Sequence, residues 1–192
     1  LYARLDAERL THMDAIVRTN QHVEMVATRP NASGLPGIGI QFDTGGDIPE
    51  LDGSVADITQ YAHGQIAART GIDKKYYERM RASQPELLVK NIETWWNAEP
   101  EKRMVRTVKP VEYKGGGKIH VGDLTARAWL SDRYKTLDNY DFVRTVLEEA
   151  SEHGGIVHSC HLDDERVYLK IISPTLYDEV MPGTVLHTGC VV

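Results

Sequence analysis

The chain is poor in cysteine. Cys160 and Cys190 are the only two in 192 residues, too few for the disulfide framework of a small secreted scaffold. It also lacks the basic-then-apolar opening of a signal peptide, so a cytoplasmic location is expected. No uninterrupted apolar run approaches the roughly 20 residues that cross a bilayer, which argues against a membrane-spanning role. Internal repeats and low-complexity tracts are absent. Nor is there an excess of positive charge. A formal net charge of −6 argues against a surface covered throughout by phosphate-binding groups.

What is present describes an ordinary globular protein. Apolar residues make up 41% and charged residues 26%, and the length suffices to bury a hydrophobic core. The chain opens on Leu1 and closes on the apolar Cys190, Val191 and Val192, so it reads as a single α+β domain, 1–192, cut from a longer frame.

Apolar Leu10, Met13, Ile16 and Val17 recur at a helical spacing within Asp6 to Asn20, which predicts an amphipathic helix there. Arg29 to Gly53 is rich in proline and glycine and reads as connection, with "GIGIQF" as one short strand. Three helices are expected between Ser54 and Trp96. Ser54 or Asp57 caps the first and Gly71 ends it, Asp73 caps the second, and Ser83 caps the third with Pro85 and Glu86 in its first turn.

The second half changes character. "KRMVRTVKPVEY" and "KIHVGDLTARAWL" are rich in strand formers and read as two long antiparallel strands joined by "KGGGK". "LDNYDFVRTVLEEASEHGG" reads as a helix with Asp138 or Asn139 as its cap and a double glycine as its stop. "GIVHSCHL" and "RVYLKIIS" then form a hairpin around "DDE", and "TVLHTGCVV" a further strand. The expectation is an α+β fold. A helical N-terminal part, about 54–98, packs on an antiparallel sheet with a strand-strand-helix-strand-strand core, about 101–192.

Three segments, "YAHGQIAARTGIDKKYYERM", "NIETWWN" and "ARAWLSDRYKTLDNYDFVRTVLEEA", resemble the phage and plasmid proteins grouped as domain of unknown function 932. The resemblance runs from about Ile58 to Val192, ending before the family's domain does, and "RAWLSDRYKTLDNYD" is its most specific part. Arg127, Ser131, Asp132, Arg133, Tyr134, Asp138 and Asn139 match the motif. The resemblance implies a phage or mobile-element context and an α+β fold, and it supplies no catalytic residues.

Charge points to a contact surface. Lys102, Arg103, Arg106, Lys109, Lys114, Lys118, Arg127, Arg133 and Lys135 make the segment from Glu101 to Lys135 basic on an acidic chain. These cations are the expected nucleic-acid-binding set, with Tyr113, Trp129 and Tyr134 as candidates for base stacking. The same aromatics suit a packed sheet equally well. "KGGGK" is no nucleotide-binding loop, because the glycine-lysine-serine/threonine order and the following helix are both missing. "LSDRYKTLDN" serves either as an ion-pair network and helix cap or as a phosphate-binding row. "GQIAARTGIDKKYYERM" has the small residue and turn glycine of a helix-turn-helix, which any tight helical hairpin also needs.

His158, Cys160, His187 and Cys190 offer the thiolates and imidazoles of a zinc site, although their spacing matches no standard finger. The resulting expectation is a non-enzymatic protein without cofactor, handling nucleic acid by single-strand binding or annealing and free to self-associate. A partner-binding phage protein, such as an inhibitor of a host factor, and a zinc-dependent enzyme are the alternatives.

Overall fold

In the computed structural model the described residues are 2–28, 37–109, 111–114, 118–135, 137–162, 166–181 and 184–192. For 2–4, 111–114, 118–121, 180 and 184–186 the description covers the backbone alone. The class is α+β. The chain divides into two compact units, Leu10–Lys135 and Leu1–Arg9 with Thr136–Val192.

The helix expected over Asp6 to Asn20 is only partly present. Helix α1 (Tyr2–Thr11) stops early and strand β1 (Met13–Arg18) follows. Ala15 and Val17 are buried while Ile16 and Arg18 are exposed, a period of two that the helical spacing of Met13, Ile16 and Val17 had masked. Next come β2 (Val23–Thr28), β3 (Gly37–Phe42, the expected "GIGIQF" strand) and β4 (Val55–Ile58). Because Val55 to Ile58 forms strand β4, the first of the three helices, α2 (Gln60–Arg69), is capped by Thr59 instead of Ser54 or Asp57.

Gly71 ends that turn at φ 67°, where the missing Cβ removes the left-handed penalty. Asp73 caps α3 (Lys74–Ser83) by accepting from the Lys75 and Tyr76 N–H groups. Helix α4 (Pro85–Ala98) begins after Gln84, with Pro85 in its first turn and no side-chain cap bond. Ser83 is therefore the last residue of α3, and its hydroxyl donates to the Arg79 carbonyl at 2.7 Å.

Strands β5 (Lys102–Val108), β6 (Val111–Lys114), β7 (Lys118–Val121) and β8 (Thr125–Ser131) complete the unit. The expected long hairpin is present in two stretches, β5 with β8 and β6 with β7, both antiparallel. Its tip at 115–117 lies outside the described residues. Six strands form one sheet in the order β1-β5-β8-β4-β3-β2, antiparallel throughout except between β4 and β8. Helices α2 and α4 lie against it, and α3 packs beside them. Ile66, Tyr77, Met80, Leu88 and Ile92 of the helices meet Val17, Met25, Ile40, Phe42 and Val105 of the strands in one buried cluster. The sheet thus recruits four strands from 13–58 that precede the helices.

In the smaller unit, α5 (Asn139–Glu152) is capped as expected, Asp138 accepting from the Tyr140 N–H at 2.7 Å. Strands β9 (Ile156–Leu162), β10 (Val167–Met181) and β11 (Thr184–Val191) form an antiparallel sheet in the order β11-β10-β9. The "DDE" turn at 163–165 lies outside the described residues. Leu5, Val143 and Leu169 form the core of this unit, and the Arg9 guanidinium sits 4.6 Å from the Tyr140 ring centroid. Among the described residues no helix is long and apolar enough to cross a membrane.

Candidate nucleic-acid interface

The helical hairpin of α2 and α3 is held by side chains that look inward. Ala62, His63, Ile66, Ala67, Tyr77 and Met80 are buried. The His63 Nδ1 lies 2.8 Å from the Tyr77 hydroxyl. Burial, with the nearby Arg81 cation, drops the His63 pKa to about 3 and burial raises that of Tyr77, so the pair is neutral at ordinary pH. On the outer side Gln60 donates to Glu78 at 2.7 Å, and Arg81 binds both Gln60 and Glu78. Two of the polar groups of α3 are thereby spent on holding α2, leaving Lys74, Lys75 and Arg79 exposed.

A cleft of about 350 Å³ opens where α2 and α4 end against the sheet. Arg69, Thr70 and Gly71 come from the end of α2, Trp95, Trp96 and Glu99 from the end of α4, Glu101 and Arg103 from the start of β5, Trp129 from β8 and Thr19 from the turn after β1. All three tryptophans of the chain line it. Trp96 and Trp129 stack on each other, ring centroids 5.1 Å apart and planes within 8°, and both are buried. Trp95 is 45% exposed. Adjacent residues on a helix point about 100° apart, so the "WW" pair cannot bury both indoles on one face.

A shift in strand register puts Trp129 there. Arg106 pairs with Ala128 but Thr107 with Ala126, so Arg127 is the extra residue of a bulge on β8. Ala126 and Trp129, three apart, consequently both join the core. The Trp129 backbone N–H donates to the Gln65 side-chain oxygen of α2 at 2.7 Å, and the Thr59 hydroxyl donates to the Arg127 carbonyl at 2.8 Å.

Arg103 is buried and ion-paired with Glu101. Burial and the neighbouring Arg69 lower its pKa, with Asp132 acting the other way. Around the same sheet end Arg18 and Lys102 are direct cross-strand partners, both exposed. Asp132, Arg133, Tyr134 and Lys135 follow the end of β8, where Ser131 pairs with Arg103, and all four are exposed.

The expected basic surface is therefore split. Lys102, Arg103, Arg133 and Lys135 gather at one end of β5 and β8, whereas Lys109 stands at the other end, roughly 20 Å away by strand rise, with the β6–β7 arm beyond it. The side chains of Tyr113, Lys114 and Lys118 lie outside those described. Arg106 makes a bidentate pair with Asp14, both bonds 2.8 Å, on a half-buried strand position. Trp129 is only 2% exposed, so its indole face is occupied by Trp96 and cannot take a base. Tyr134, 47% exposed, keeps its ring open.

The zinc set is not brought together. Cys160 lies on β9 and Cys190 on β11, the two edges of a sheet with β10 between them, and among the described residues no three His, Cys, Asp or Glu side chains gather as metal ligands. Arg69, Trp95, Trp96 and Glu99 fell outside the candidates read from sequence. The tandem tryptophan near a helix end was the available signal, since one of its indoles had to face outward. The cleft draws on each of the three segments that carry the phage and plasmid resemblance. No family model, curated protein or solved structure matches the chain.

Proposed function

We propose that the protein binds single-stranded nucleic acid at the Arg18, Lys102 and Arg133 end of the larger unit, with a base entering the tryptophan cleft. The supporting observation is that all three tryptophans line one cleft whose walls also carry two guanidiniums. The exposed indole of Trp95 gives a base a flat apolar face, and such stacking contributes roughly 1–3 kcal/mol per base. Arg18 and Lys102 oppose each other directly across β1 and β5, a repulsion that a bound phosphate relieves. Duplex fits less well, because its bases are already stacked and must be extruded to reach an indole. The setting is that of a phage or mobile-element protein, in which single-strand binding or annealing is the task.

Mobility-shift titrations with single- and double-stranded DNA over a range of salt test this. Single strands should bind more tightly, with affinity falling steeply as salt rises. Lys102→Ala and Arg133→Ala should each flatten the log–log salt slope by about 0.7. Absent binding at low salt, or binding indifferent to salt, would overturn it. A second reading, capture of a protein partner by the smaller unit, draws on the exposed Leu176, Tyr177, Met181 and Val191 of its sheet.

A further inference from the structure

Resting on the strand-binding reading and deepening it, we infer that the cleft selects guanine among the bases. Its walls carry two guanidiniums, Arg69 and Arg103, and two carboxylates, Glu99 and Glu101. The charges balance, so the cleft is not built for a lone phosphate. One guanidinium and one carboxylate, Arg103 and Glu101, are already paired with each other. Among the described residues the Arg69 and Glu99 side chains have neither an ion-pair nor a hydrogen-bond partner. The cleft therefore combines an exposed indole, an available donor fork and an available double acceptor.

Guanine complements that combination. Its N1–H and N2–H groups are adjacent donors that a carboxylate accepts together, and its O6 and N7 are adjacent acceptors for a guanidinium. Adenine and cytosine each place an acceptor beside their exocyclic amine, and thymine offers a single N–H between two carbonyls, so none of them satisfies a carboxylate twice. A methylated ammonium is the other ligand that tryptophans attract. It is disfavoured here, because Trp96 and Trp129 present their faces to each other and the guanidiniums repel a cation. Between the two helix ends Gly71 leaves the wall open, since even an added Cβ would meet nothing within 4 Å.

The test uses oligothymidine carrying one central guanine, inosine or thymine, in DNA and RNA versions, with free guanosine monophosphate as competitor and fluorescence anisotropy as readout. One guanine per strand avoids quadruplexes. The guanine oligomer should bind about tenfold more tightly than the inosine one, which lacks only the N2 amine. Glu99→Gln should bring guanine down to the inosine level, and Arg69→Gln should remove the penalty that 7-deazaguanine, lacking the N7 acceptor, imposes on the intact protein. Guanine preference in either strand type supports the assignment. Equal binding of all three oligomers overturns the base assignment and leaves strand binding standing, whereas absence of any binding overturns both. Free guanosine monophosphate competing as well as the oligomer would make the ligand a mononucleotide and overturn the strand-borne base.

Discussion

Acidification from pH 8 to pH 5 should destabilise the larger unit through His63, before most carboxylates titrate. The imidazole is 3% exposed and bonded to a fully buried Tyr77, and burial holds its pKa at about 3 against an ordinary 6.5. In the folded protein His63 therefore stays neutral over this range, while in the unfolded chain it gains a proton as the pH drops below 6.5. The unfolded state then binds more protons, so stability falls with pH and is restored above 6.5. The loss reaches about 2 kcal/mol by pH 5 and roughly 4 kcal/mol near pH 3. With a urea m-value of about 2 kcal/mol/M, the midpoint should move by about 1 M between pH 8 and pH 5. The control is the double variant His63→Leu with Tyr77→Phe, which replaces the bonded pair by apolar groups and strands neither partner. Its urea midpoint should be nearly flat over the same range. A parallel decline in both proteins would refute the assignment of acid sensitivity to this pair.

Trp129→Ala should cost roughly 3–5 kcal/mol, since it removes a buried indole stacked on Trp96; Trp95→Ala, at an exposed position, should cost less than about 1 kcal/mol, and urea denaturation distinguishes the two. Asp14→Ala should destabilise by about 1–3 kcal/mol by depriving Arg106 of its bidentate partner. A double-mutant cycle with Arg106→Ala should show coupling of at least about 0.5 kcal/mol.

The elements that local chemistry dictates were legible in the sequence. Gly71, Asp73, Pro85 and Asp138 sit where turn and cap rules put them, and the "GIGIQF" strand, the β5–β8 hairpin and the final three strands are present. Strand β1 was hidden because Met13, Ile16 and Val17 satisfy a helical period, whereas pairing with the distant β5 buries Ala15 and Val17 and turns Ile16 outward. Strand β4 was hidden for a related reason. Its four residues are too few to show a period, and a parallel partner at 125–126 fixes it. The candidate site was half legible. Charge density located Lys102 and Arg133, but counting charges along the chain could not tell that Arg106 is neutralised by Asp14 or that the bulge at Arg127 turns Trp129 into the core. Trp95 and Arg69 join the cleft only when two helix ends meet the same sheet end, a juxtaposition without a local signature.

The most direct measurement is intrinsic tryptophan emission during titration at low salt with a short oligothymidine carrying one central guanine, because every tryptophan of the chain lines the cleft. Saturable quenching should appear, reverse on raising the salt, and largely vanish in Trp95→Phe. Oligomer binding that leaves the emission of the intact protein unchanged would contradict the cleft as the place where a base is held.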